Sequence, residues 1–289
     1  MSLTPLDKSA MKRQFDRAAH TYDFHAVLQR EIESRLLERI AFQRADPGVI
    51  VDMGCGTANA SRELQERYPQ SRVFSLDWSM PMLQKAGQGQ VASGLTPFCA
   101  DMHALPLAPA AINLVFSNLA LQWSYDLPAI FRELRRVMKA DAMLVFSCYG
   151  PDTLTELKQS WRLVDDRQHV NDFPDMHDVG DELLAAGFRE PVMDVERLTL
   201  QYQDVISLMR ELQGLGESNV AADRFKGLTG KGSLRGLLEA YERFREKGRY
   251  PASFEIIYGT AFAPFEGQPM KTPEGDVATF SVDALRRRS

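Results

Sequence analysis

The stretch VDMGCGTANA, residues 51–60, decides how the chain is read. Val49, Ile50 and Val51 form an apolar run that predicts a buried strand, and residues 59–67 predict the helix after it, so the turn between them joins strand to helix. Gly54 and Gly56 can adopt backbone angles closed to other residues and put no side chain between the main chain and a ligand. The start of the following helix adds free N–H donors. A turn built this way holds a ligand, and its neighbours say which kind.

A dinucleotide site wants a third glycine, in the pattern G-x-G-x-x-G, to bring a pyrophosphate onto the helix. Asn59 stands at that place. The acidic residue expected about 20 positions on is nonetheless present. Asp77 follows Gly56 by 21 positions and closes a second predicted strand, where a carboxylate can chelate two ribose hydroxyls. Asp101 and Met102 follow a third strand and Asn118 a fourth, each at a carboxyl end, where open α/β sheets bind ligands. A ribose and an adenine edge without phosphate point to S-adenosylmethionine.

Strands are predicted at 48–53, 72–76, 95–99, 112–117 and 142–148, with helices at 59–67, 80–86 and 127–138 between them. This alternation predicts an α/β, doubly wound, Rossmann-like parallel sheet. Helical patterns precede it at 8–20 and 24–44 and follow it at 152–165 and 177–186; strand-like runs at 191–200 and 253–262 bring the sheet to seven strands. Residues 203–249 between those runs read as helices broken by glycines, a lid inserted into the sheet domain. The expected organisation is therefore an N-terminal helical segment (1–47), an S-adenosylmethionine-binding core (48–200), a helical lid (201–250), a last core strand (251–263) and a loose tail (264–289) rich at first in Pro and Gly.

With 289 residues, 44% apolar and 25% charged, the chain is of ordinary globular composition. The charged first residues and the lack of any run near the ~18 apolar residues of a membrane span predict neither export nor membrane insertion, and Cys55, Cys99 and Cys148 have no disulfide or zinc spacing. A cytoplasmic protein is expected. His103, His169 and His177 lack a ligand pattern, so no metal is expected. The net charge of −5 argues against nucleic acid as partner. Ser218–Tyr250 departs from that acidic balance, with eight bases against four acids, a surplus of four positive charges.

Val51-x-Asp-x-Gly-x-Gly-Thr57, the Asp77 strand end, the Asp101-Met102 pair and the Asn118 strand together resemble the motifs of class I S-adenosylmethionine-dependent methyltransferases; Ala58 stands where that pattern has its third glycine. Phe15-x-Arg-Ala-Ala-x-x-Tyr22, Ser117-Asn-Leu-Ala-Leu-Gln-Trp123, Met209-Arg-x-Leu-x-Gly-x-Gly216 and Gly248-Arg-Tyr-Pro251 resemble, from about Lys8 to about Ala263, the malonyl-[acyl-carrier protein] O-methyltransferases of biotin synthesis. Gln213 replaces the lysine expected in the third of these stretches. The resemblance implies methylation of the free carboxylate of a malonyl thioester carried on acyl carrier protein, with malonyl-CoA a further possible substrate.

That reaction needs no general base, because the carboxylate is ionised at neutral pH. Gly54 and Gly56 are expected to meet the cofactor's methionine moiety, Asp77 the ribose, Trp78 or Met82 the adenine face, Asp101 the adenine amino group and the Met102 backbone the ring. Arg210, in an apolar run before two glycines, is the candidate for the substrate carboxylate, against the alternative of a stem lying along a helix with its head in water. Tyr22 either closes over the cofactor or substrate or packs a helix; Trp123 either lines the pocket or belongs to the core. The basic segment suits an acidic carrier, or is the solvated face of a helix. Rival readings are methylation of another small carboxylate or of a quinone, and a methyltransferase-fold assembly factor or protein-arginine hydroxylase.

Overall fold

The computed structural model describes residues 4–40, 47–87, 95–227, 229–265, 267, 270–272 and 275–277. Strands β1 (Val49–Met53), β2 (Arg72–Asp77), β3 (Leu95–Cys99), β4 (Ile112–Ser117), β5 (Met138–Tyr149), β6 (Arg189–Tyr202) and β7 (Tyr250–Phe262) form one sheet in the order β3-β2-β1-β4-β5-β7-β6. The first five pair in parallel. β7 runs antiparallel between β5 and β6, so the sheet is mixed where the strand rhythm predicted a parallel one. The order reverses between β1 and β4, which opens a crevice at their carboxyl ends.

Successive strand residues point to opposite faces, and both faces are covered. Ile50, Leu114 and Val145 join one apolar layer with Leu28, Ile32 and Leu36 of α3 (Val27–Arg39) and Leu64 of α4 (Asn59–Arg67). Their neighbours Val51, Val115, Leu144 and Phe146 join the other, with Phe131 and Leu134 of α6 (Leu127–Val137) and Leu183 of α8 (Met176–Ala185). The helix predicted over 24–44 is interrupted at Ala26, whose ψ of 45° separates α2 (Tyr22–His25) from α3.

Between β6 and β7 lie α9 (Val205–Leu215) and α10 (Lys231–Tyr241). Asp204 caps α9 by accepting from Ser207 N, and Gly216, at φ +78°, ends it. The end of α9 sits on the N-terminal helices: Thr21 Oγ1 donates to Gly214 O at 2.8 Å, and a Cβ on Gly214 would fall 2.2 Å from the His25 ring. The chain after α9 then pairs with the residues before α1 (Lys8–Ala18) through an antiparallel Leu6–Ala221 bridge and an Arg224–Asp7 ion pair at 3.2 Å. Part of the tail expected to be loose forms a hairpin of β8 (Met270–Thr272) and β9 (Gly275–Val277); residues 278–289 lie outside the described ones.

Gly259 of β7 stands opposite Phe146 of β5, and a Cβ there would come 2.2 Å from the ring. We predict that Gly259→Val lowers stability by about 2–3 kcal/mol, because the buried ring has nowhere to move; urea unfolding checks this, and an unchanged midpoint would refute the close packing.

Candidate active site

β1 delivers the chain into the glycine turn at the crevice. Gly54 takes φ +76°, and a Cβ on it would lie 2.3 Å from the Cβ of Ala120 in the loop after β4. Both the left-handed backbone and this contact demand glycine. Ala58 adopts φ +63° with a methyl group, at a cost of about 1–2 kcal/mol, and leads directly into α4. Asp77, at the end of β2, accepts from Gly56 N through Oδ2 at 2.9 Å and from Ser79 N through Oδ1 at 2.7 Å. Burial raises its pKa, and these backbone donors oppose the rise.

The corner after β3 is built around Asp101. Its Oδ1 accepts from His103 N at 2.9 Å and meets His103 Nδ1 at 2.6 Å, while Oδ2 accepts from Tyr125 OH at 3.3 Å. His103 stacks on Tyr125 with ring centroids 3.6 Å apart, and Lys8 Nζ lies over the same tyrosine ring. Burial of the imidazole lowers the His103 pKa despite the carboxylate beside it. After β4, Asn118 is locked by donating to Gln29 O at 3.0 Å and accepting from Ser147 Oγ at 2.7 Å.

One cavity gathers Tyr22, Gly54, Gly56, Asp77, Trp78, Met82, Asp101, Met102, Asn118 and Trp123. Tyr22 faces Gly56, and Trp123 is buried with Phe15 of α1 packed edge-on at 5.2 Å. Arg210 is not brought there. It lies exposed on α9, because Val205, Leu208, Leu212 and Leu215 define the inward face and Arg210 is two residues out of phase with it. The same cavity adds residues that sequence reading missed or assigned no role, among them Met11, Phe15, His103 and Glu217.

Two further cavities adjoin. A polar one, sharing Tyr22, Gly54 and Asn118 with the first, is lined by Asp23, Glu33 and Asp52 and also by Arg30 and Arg62. Thr57 Oγ1 donates to Asp23 Oδ1 at 2.6 Å and Ser61 Oγ to Asp52 Oδ2 at 2.5 Å. Burial pushes Asp52 and Glu33 each up to about 7. The third cavity is walled by Tyr149, Leu157, Trp161, Phe173, Met209, Leu212 and Phe254 together with polar residues that include Gln168, His169, Asn171, Asn219 and Arg224, and it shares only Trp123 and Glu217 with the first.

Residues 51–146 match a family described as a methyltransferase domain. Over 266 residues the chain is 48% identical to the malonyl-[acyl-carrier protein] O-methyltransferase of Gallionella capsiferriformans, covering 90% of this chain and 92% of that one. The chain belongs to the malonyl-[acyl-carrier protein] O-methyltransferase family. A member from Methylovorus is 46% identical over 266 residues, 90% of each chain. A solved [4+2]-cyclase superimposes with a TM-score of 0.58 at 16% identity, over 91% of this chain and all (100%) of its own. That likeness is one of fold, so within this O-methyltransferase family the reaction must be argued from the site. Among the described residues no helix is long and apolar enough to cross a membrane.

The raised carboxylates give a stability signature. Asp52 binds its proton more tightly folded than unfolded, so its contribution is full below the unfolded value of about 4 and is lost as pH rises through about 7. We predict that Asp52→Asn reduces the fall in melting temperature of the ligand-free protein between pH 5 and pH 8. Identical slopes for both proteins would show that Asp52 is ionised throughout.

Proposed function

We propose that the protein transfers a methyl group from S-adenosylmethionine to the free carboxylate of a malonyl thioester on acyl carrier protein, the ester that opens the pimeloyl chain of biotin. The observation that carries this reading is the meeting of the cavity of Asp77 and Asp101 with a second chamber, walled in part by aromatic and aliphatic side chains, at two residues, Trp123 and Glu217. The names of the relatives support the same substrate.

The residues present fit the cofactor. Asp77 uses one lone-pair direction of each oxygen on backbone donors, leaving the others for ribose hydroxyls. Asp101, held by His103 and Tyr125, offers a fixed acceptor to an adenine amino group. The cavity of Asp23, Glu33 and Asp52 suits an α-ammonium group. Bound there, S-adenosylmethionine supplies the electrophilic methyl.

What the chain contributes is placement. Trp123 and the aromatic and aliphatic walls of the third cavity put apolar surface beside the reacting groups, which favours a step in which a carboxylate and a sulfonium become neutral ester and thioether. Holding two reactants in line is worth up to about 7–11 kcal/mol in well-oriented systems. No base is needed; His103 serves to position Asp101.

Labelled S-adenosylmethionine offered with malonyl-carrier, malonyl-CoA and free malonate tests the reading, and label in the carrier-bound ester is expected; no label in any of the three would overturn it. Asp77→Asn should weaken cofactor binding by about 1.5–3 kcal/mol in calorimetry, since it exchanges a charged acceptor for a neutral one. Unaltered affinity would remove Asp77 from the ribose.

The carrier is proposed to dock on the inserted segment. Of its eight bases, Lys226, Lys231, Arg235, Arg243, Arg245, Lys247 and Arg249 are exposed, whereas Arg224 is tied to Asp7. Exposed Arg210 belongs to this outer surface too. Reversing Arg243, Arg245 and Lys247 to Glu should raise KM for the carrier-bound substrate more than for malonyl-CoA, and salt should mimic the change, because exposed charges are screened beyond ~8–10 Å at physiological ionic strength. Equal losses on both substrates would make these bases a solvated face only.

A further inference from the structure

Glu217 occupies the junction of the two cavities. The backbone aims it there: Gly216 turns at φ +78° where a Cβ would be 3.1 Å from Phe15 and 3.2 Å from Ala18, so the turn is seated on α1 and the next residue points inward. Gln29 Nε2 donates to Oε1 at 3.1 Å, and Tyr149 OH lies 3.3 Å from Oε1 and 3.1 Å from Oε2. Oε1 is thus served by both neighbours, and Oε2 only by the tyrosine. Among the described residues no lysine, arginine or histidine pairs with this carboxyl, unlike the exposed acids of the surface.

A carboxylate substrate must approach the methyl group past this acid. If Glu217 were ionised, two anions would share one desolvated site, which is strongly unfavourable. A protonated Glu217 does the opposite, because its O–H is a donor and the apolar surroundings strengthen the bond it makes to an anion. We propose that Glu217 works as a neutral acid whose O–H, carried on Oε2, holds one oxygen of the substrate carboxylate and leaves the other free to attack. Glu217 keeps its proton throughout and makes no bond to the transferred methyl. The neutral ester product accepts a weaker hydrogen bond, so the same contact that selects a free carboxylate releases the ester. This assignment rests on the proposed malonyl substrate.

The protonation state fits the surroundings. Burial pushes Glu217 up to about 7, Glu211 of α9 adding to the rise, while hydrogen bonds from Gln29 of α3 and Tyr149 of β5 oppose it. Tyr22 of α2 is half-buried nearby with its pKa raised, hence neutral, and Arg224 and His169 also line the third cavity. An Arg in contact would have kept Glu217 ionised; none is in contact.

The test measures binding of malonyl-loaded carrier to protein saturated with S-adenosylhomocysteine, from pH 6 to pH 9, for the wild type and Glu217→Gln. Wild-type affinity should fall about tenfold per pH unit above the pKa of the acid, since only the protonated fraction is competent. Calorimetry in buffers of different ionisation enthalpy should show uptake of about one proton at pH 8. Glu217→Gln, which offers an N–H in place of the O–H, should bind about threefold to tenfold more weakly at pH 6 but lose both the pH dependence and the proton uptake. The same alkaline decline in both proteins overturns the proposal. So does a Gln variant that keeps S-adenosylhomocysteine affinity yet binds no carrier at any pH. Failure of the wild type to bind or methylate malonyl-carrier would instead overturn the substrate, and the two failures are therefore distinct.

Discussion

The site depends on one carboxylate that bridges two turns. Asp77 ends β2, and by accepting from Gly56 N and Ser79 N it fixes the glycine turn after β1 relative to the loop before α5 (Met80–Gly87). Without that bridge the left-handed residues Gly54, Gly56 and Ala58 would have little to hold them in their less common conformations. With it, the turn lies close enough to the loop after β4 that Gly54 and Ala120 exclude any side chain between them. The reversal of strand order supplies a crevice, and Asp77 gives that crevice a defined floor.

The three cavities divide the electrostatic work. Three acids, with Arg30 and Arg62 beside them, line the cavity where a cationic amino group is expected, aromatic and aliphatic side chains wall part of the chamber where charge is to be extinguished, and most bases of the inserted segment stand outside. The fold keeps these environments apart by taking their walls from different elements: α2 to α4 for the acidic cavity, α7 (Thr155–Trp161), α9 and β5 for the apolar one.

Much of this was legible in the sequence, for identifiable reasons. Short runs rich in apolar residues and bounded by turn residues mark strands, so β1 to β4 fall within a residue of their expected positions, the half-exposed edge strand β3 included. β5 begins four residues earlier than the expected 142, because α6 passes into it through Met138–Asp141, where no pattern marks the change. The insertion of β7 between β5 and β6 was illegible, since strand pairing is non-local. Residues at strand ends were found because chain position alone puts them at the crevice. Arg210 was misjudged by its apolar neighbourhood, although the phase of Val205, Leu208, Leu212 and Leu215 already turns it outward. His103 has no metal-ligand spacing, and its role lies instead in the Asp-x-His spacing that makes it a clamp on Asp101. Glu217 had a signal too, standing directly after the Gly214-x-Gly216 pair that reverses the chain.

The roof over the cofactor cavity joins residues more than 200 positions apart, Leu6 to Ala221 and Asp7 to Arg224. Closing so long a loop is entropically unfavourable until the sheet between them has formed, which makes these contacts late events in folding. During synthesis the first helix must therefore wait for the segment after α9 to leave the ribosome before these contacts form, and only then does Glu217 join the cavity whose other lining residues lie between Met11 and Trp123. The junction of the two cavities is consequently a property of the finished chain, and a truncated or stalled product carries the glycine turn without the Glu217 that joins it to the second chamber.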